Sequence, residues 1–109
     1  MGEAVVDRRA LMEERLREYL KRDGDGMRLA MMRILLDEES ISTKELYERL
    51  GKKGVRRTYR GVCAALGAMN SRLGILAIST RSGRKIYRVK PECRKLVRYV
   101  MENYGSEDG

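Results

Sequence analysis

Val55, Tyr59, Val62, Leu66, Met69 and Leu73 recur at steps of 4, 3, 4, 3 and 4, a spacing that an α-helix gathers onto one side. Gly74 follows at once, and the period then shortens to that of a strand. Ile75-Leu76-Ala77-Ile78-Ser79 and Lys85-Ile86-Tyr87-Arg88-Val89 are β-rich runs joined by the turn-like Thr80-Arg81-Ser82-Gly83-Arg84. The spacing therefore predicts a helix over 55–73 passing directly into a β-hairpin, and everything else has to pack around that pair. Opposite the stripe lie Arg57, Arg60, Gly61, Ala64, Gly67, Ala68 and Ser71, with Arg56 at the edge. That face is basic in its first two turns and small-sided beyond them. Each interior glycine costs roughly 1 kcal/mol against alanine, so either a ligand or a neighbouring helix is expected to approach it closely.

The segments upstream read as three helices. Residues 4–22 place Val5, Met12, Leu16, Tyr19 and Leu20 on one side, opposite a mixture of Glu and Arg. Asp23-Gly24-Asp25-Gly26 breaks that helix. Residues 27–38 are apolar nearly all round, with methionines suited to filling a core. Ser42-Thr43-Lys44-Glu45 forms a capping box. It opens a helix with Leu46, Tyr47 and Leu50 facing inwards, stopped by Gly51, and Ile41 before it suits a short strand or a hydrophobic staple. Downstream, Pro91 suits the first position of a helix and Glu92 its first turn. Cys93, Leu96, Val97, Val100, Met101 and Tyr104 then give an apolar face up to a frayed tail at 105–109.

Charge singles out the middle of the chain. Residues 51–90 hold 11 basic groups and no acidic one, whereas residues 1–26, 27–50 and 91–109 are each −1, giving the net +8. Segregation of this kind suits a polyanionic partner, nucleic acid first and an anionic membrane second. With 42% hydrophobic and 37% charged residues in 109, the chain has the composition of one globular domain. No apolar run approaches the roughly 18 residues of a membrane span. Met1 to Val6 lacks a signal-peptide pattern, so a cytoplasmic location is expected. Histidine is absent and the cysteines number two, Cys63 and Cys93, so neither a zinc site nor any other cofactor is expected. Buried free thiols are the expectation for the pair, although a composition rich in Arg, Glu and Lys leans towards a thermophile, where a disulfide is an alternative. The absence of histidine, of a Ser–His or Cys–His pair, of a phosphate loop and of clustered carboxylates argues against an enzyme.

Residues 27–90, read as helix, short link, helix, longer helix and basic hairpin, resemble the winged helix-turn-helix domain. The resemblance is carried by the helix Ser42–Leu50, the turn Gly51-Lys52-Lys53-Gly54, the helix Val55–Leu73 and the hairpin Gly74–Val89. With flanking helices at 1–26 and 91–109, the chain looks like the small dimeric regulators of archaea and bacteria that include the MarR-like and PadR-like groups. The fold class implied is mainly α with a small β-hairpin. The resemblance further implies double-stranded DNA as partner and transcription regulation as function, with helix 55–73 in the major groove and the wing 79–86 on the minor groove or phosphates. Carried over, Arg56, Arg57, Thr58 and Arg60 would contact bases. Arg81, Arg84 and Lys85 would reach from the wing, and Lys52 and Lys53 would hold phosphates. Tyr59, on the apolar stripe, belongs to the core in this reading. Arginine suits guanine, and the lack of Asn or Gln before Asn70 gives no support for bidentate adenine readout.

Two rivals compete with this reading. A winged helix used for protein contact, as a subunit of transcription or replication machinery, would mix acids into the wing. RNA binding would call for exposed aromatics, and the sequence leaves Tyr99 alone looking exposed. Helices 4–22 and 91–104 exceed what a winged helix needs to close its core, so a homodimer is expected to use them. Its two recognition helices would lie about 34 Å apart.

Overall fold

The computed structural model describes residues 7–104. Helix α1 (Arg8–Lys21) begins where the Asp7 carboxylate accepts from the Arg9 amide at 3.0 Å. Val5, expected on its inner face, lies outside the described residues. The loop after α1 does more than break a helix. Asp23 accepts from the Arg28 and Leu29 amides at 3.1 and 3.0 Å, and Asp25 accepts from the Met27 amide at 3.2 Å. The loop's carboxylates thus satisfy the open amides of α2 (Met27–Asp37). Met31, Met32, Ile34 and Leu35 of α2 are completely enclosed, as a helix apolar on several sides requires.

Strand β1 (Ile41–Ser42) leads into α3 (Thr43–Lys52), whose capping box is fully formed between Ser42 and Glu45. Two details depart from the sequence reading. Gly51 does not stop the helix: α3 continues to Lys52, and the left-handed residue is Gly54 at φ +85°, after which the Val55 amide returns to the Leu50 carbonyl at 3.0 Å. Tyr47, expected inside, is exposed.

The next helix, α4, spans Tyr59–Leu73 and not 55–73. Thr58 is its N-cap, accepting from the Gly61 amide at 2.9 Å. Val55 still packs against the core from the preceding extended segment, which is why it kept the stripe's spacing while lying outside the helix. Val62, Leu66, Met69 and Leu73 are buried as expected; Tyr59, at the first helical position, is exposed.

Gly74, at φ +63°, ends α4. Strands β2 (Leu76–Arg81) and β3 (Arg84–Val89) then pair antiparallel from Leu76↔Val89 to Arg81↔Arg84. The link is shorter than the five-residue loop expected. Ser82 and Gly83 both have positive φ, 52° and 75°, the geometry that lets a two-residue loop follow the strand twist. β1 joins the other edge of β3 through Ile41↔Tyr87 and Ser42↔Ile86, giving a sheet of order β1-β3-β2. Helix α5 (Pro91–Tyr104) returns across α1 and α2, and its Tyr104 hydroxyl donates to the Leu20 carbonyl at 3.1 Å. One continuous apolar cluster draws on all five helices and the sheet. This is the fold of a winged helix, with α3 and α4 as the helix-turn-helix and β2–β3 as the wing. No helix among the described residues is long and apolar enough to cross a membrane.

Candidate functional site

The basic residues singled out by sequence do not converge on one spot; α4 separates them. On one side, Arg57 forms an ion pair with Asp25 of the α1–α2 loop. The two lie in a groove walled by Gly61, Ala64 and Ala68 of α4. The small residues of α4 therefore face, in part, the protein's own loop. Gly61 has an internal reason as well, since a Cβ there would stand 3.1 Å from the capping hydroxyl of Thr58. Gly67 has none: a Cβ there would meet nothing within 4 Å.

On the other side of α4, a cleft of about 720 Å³ opens between α3, α4 and the wing. Its walls include Tyr47, Tyr59, Cys63, Gly67, Ile78 and Tyr87. Lys44 and Glu48 border it from α3, and Arg84 and Lys85 from the wing. Lys85, Tyr87 and Val89 alternate onto one face of β3, opposite Thr80, Ile78 and Leu76 of β2. The inward side of the wing thus begins in the core and ends in the cleft. The wing projects beyond the helices, and for that reason Ile78 is 45% exposed although it points to the core side of the sheet.

The aromatic pair in this cleft is what the sequence reading missed. Tyr47 is 38% and Tyr59 49% exposed, and their rings meet edge to face with centroids 5.8 Å apart. Both sit at inward-spaced positions of their helices, so periodicity assigns them to the core. The legible signal was the cap-forming Thr58, which makes Tyr59 a first-turn residue beyond the core's edge. Tyr99 is exposed, as the sequence suggested, but it is not alone.

The remaining candidates spread along the same border. Arg56 and Thr58 lie in the extended approach to α4, and Arg60 is the second residue of that helix, all exposed. Arg81 and Arg84 face each other where the hairpin closes. Lys52 ends α3, and Lys53 lies on the far side, in a depression shared with Arg98 and Glu102 of α5. Among these, Arg57 alone is ion-paired within the described residues. The segment without acids in sequence is consequently not without them in space: Asp25 and Glu48 are folded against it.

Cys63 is exposed in the cleft while Cys93 is buried in α5, and both are free; the expectation of two buried thiols fits only the second. Burial pushes the Cys93 thiol pKa up, keeping it protonated and inert at neutral pH. Among the described residues no group of three or more His, Cys, Asp or Glu is arranged to hold a metal.

Residues 16–97 match the profile of a family described as "Protein of unknown function (DUF2551)". A protein of Archaeoglobus fulgidus, described as uncharacterized, is 39% identical over 94 residues, which is 85% of this chain and 95% of the relative. Among solved structures, the chain is similar to a homodimeric winged helix-turn-helix DNA-binding domain from Mycobacterium bovis, described as a possible ArsR-family transcriptional regulator. That similarity has a TM-score of 0.62 at 19% identity and covers 98% of this chain and 91% of the other.

Proposed function

The chain belongs to the DUF2551 family, and from its surface we propose that it is a double-stranded DNA-binding protein acting as a transcription regulator. One observation carries the reading: the exposed start of α4 and the wing present Arg56, Arg60, Arg81, Arg84 and Lys85 without an ion-pair partner among the described residues. In a winged helix these are the two parts that meet a duplex, the second helix of the helix-turn-helix in the major groove and the wing beside it. Arg60 and Arg56 are the base-contacting candidates, with Thr58 beside them. Arg81, Arg84 and Lys85 hold phosphates or the minor groove, and Lys52 and Lys53 add phosphate contacts further out. Arg57 joins this set only by leaving Asp25.

A homodimer belongs to the same proposal, though not on the ground the sequence offered. The apolar faces of α1 and α5 are spent on each other and on the common core, so the support comes from the homodimeric neighbour. That neighbour is described within the ArsR group, whereas the sequence resembles the MarR-like and PadR-like groups; the proposal rests on the architecture they share.

The test is an anisotropy titration of a labelled duplex with the wild-type protein and with the Arg84→Ala/Lys85→Ala variant. Removing the two wing charges should weaken binding to all sequences alike and flatten the salt dependence by about one unit of slope for each phosphate left unneutralised. Arg60→Ala should in addition reduce preference among sequences. Unchanged affinity in both variants would overturn the reading.

A further inference from the structure

We infer that the cleft between α3, α4 and the wing receives one unpaired nucleobase, an inference that rests on the nucleic-acid reading above and names what this part of the surface takes. Three observations converge on it. First, the exposed face of α4 beyond Arg60 offers the cleft Cys63 and Gly67, which are poor readers of base-pair edges compared with Arg, Asn or Gln. Second, the cleft supplies what a single base needs. Tyr59 and Tyr47, meeting edge to face, leave ring surface uncovered, and Ile78 stands exposed on the wing wall. Every base has a π-face, and stacking on an aromatic side chain tolerates all four. At about 720 Å³ the half-open cleft falls within the size range of small-molecule sites and has room for a single base. Third, Gly67 leaves the α4 wall bare, and nothing within the protein requires a glycine there.

Charge selects the occupant. Arg84 and Lys85 on the wing wall and Lys44 on the α3 wall give the cleft three cations against the single carboxylate of Glu48, so its rim is basic. A strand whose base enters the cleft can lay its phosphates there. Glu48 is the one acidic residue among those lining the cleft, and it shares the α3 wall with Lys44, so the net positive charge lies on the wing side. An apolar protein segment would fill the walls but leave that basic rim unmatched.

The experiment uses the full chain and two duplexes of identical sequence, one perfectly paired and one carrying a single extra unpaired thymine. Stacking of one base on an aromatic side chain corresponds to roughly a 5- to 150-fold gain in affinity, so the bulged duplex should bind tighter by a factor in that range. Tyr59→Leu, which keeps the apolar bulk but not the ring, should abolish the difference between the two duplexes; Tyr59→Trp should retain it. Equal binding of both duplexes by the wild-type protein, or a preference that persists in Tyr59→Leu, would overturn the inference while leaving the duplex reading intact. Failure to bind either duplex would remove the reading and the inference together.

Discussion

Single residues carry consequences that a pattern of types does not. The two glycines of α4 look alike in sequence, yet Gly61 lies against the cap hydroxyl and Gly67 faces open space. Gly67→Ala should therefore stabilise the protein by about 1 kcal/mol through helix propensity, and Gly61→Ala by less, because the Thr58 cap must yield. Chemical denaturation of the two variants checks the order. The capping box offers a second test. The Ser42 amide and hydroxyl hold the Glu45 carboxyl pKa below its ordinary 4.5. A depressed folded pKa means that the unfolded chain binds the proton more readily. Its stabilisation is thus fully present above about pH 4.5 and is lost as pH falls through the lower folded value. Ser42→Ala should cost about 1 kcal/mol at pH 7, and the gap between Glu45→Gln and wild type should close on acidification, as urea unfolding across pH would measure. The capping box was legible because its four residues are contiguous. The Arg57–Asp25 pair was not, because 32 positions separate the partners and only the fold brings them together.

At the scale of elements, α2, α3 and α5 were legible to within two residues of their ends, from the apolar run of α2, the capping box of α3 and the Pro91 start of α5. Helix α4 shows where such reading fails. Val55 packs on the core from outside the helix and Tyr59 leaves the core from inside it, so the unbroken stripe concealed a cap between them. The correction moves Arg56 and Arg57 off α4 and makes Arg60 its first arginine. The hairpin was legible as a hairpin, but the tight Ser82-Gly83 link adds two residues to the tip end of β2 and sets Arg81 beside Arg84. Both loop residues have positive φ, a backbone that costs an L-residue roughly 1–2 kcal/mol. Gly83→Val should accordingly loosen the wing, faster amide exchange at Arg81 to Lys85 being the measurement, without lowering the helical circular dichroism signal.

For the whole molecule, the sequence suggested a winged helix flanked by helices held in reserve for a partner, and the winged helix is what forms. The flanking helices, however, close the core: α1 contributes Leu16, Tyr19 and Leu20, and α5 contributes Leu96, Val97 and Val100. No pattern of apolar faces can tell whether such helices meet each other or a second chain. A chain ending at residue 90 should consequently lose cooperative thermal unfolding, because it strips the cover from α1 and α2; retained cooperativity would make α5 a dispensable appendage. On the proposed function, Arg60 at the start of α4, Arg56 just before it and the basic wing bind duplex DNA, largely through its phosphates. Titration of a duplex with the wild-type protein at about 50 and 200 mM salt tests this most directly. If a dimer neutralises about 6–10 phosphates, affinity should fall roughly 10³–10⁵-fold between the two; an affinity that does not change with salt would mean that this surface does not hold the DNA backbone.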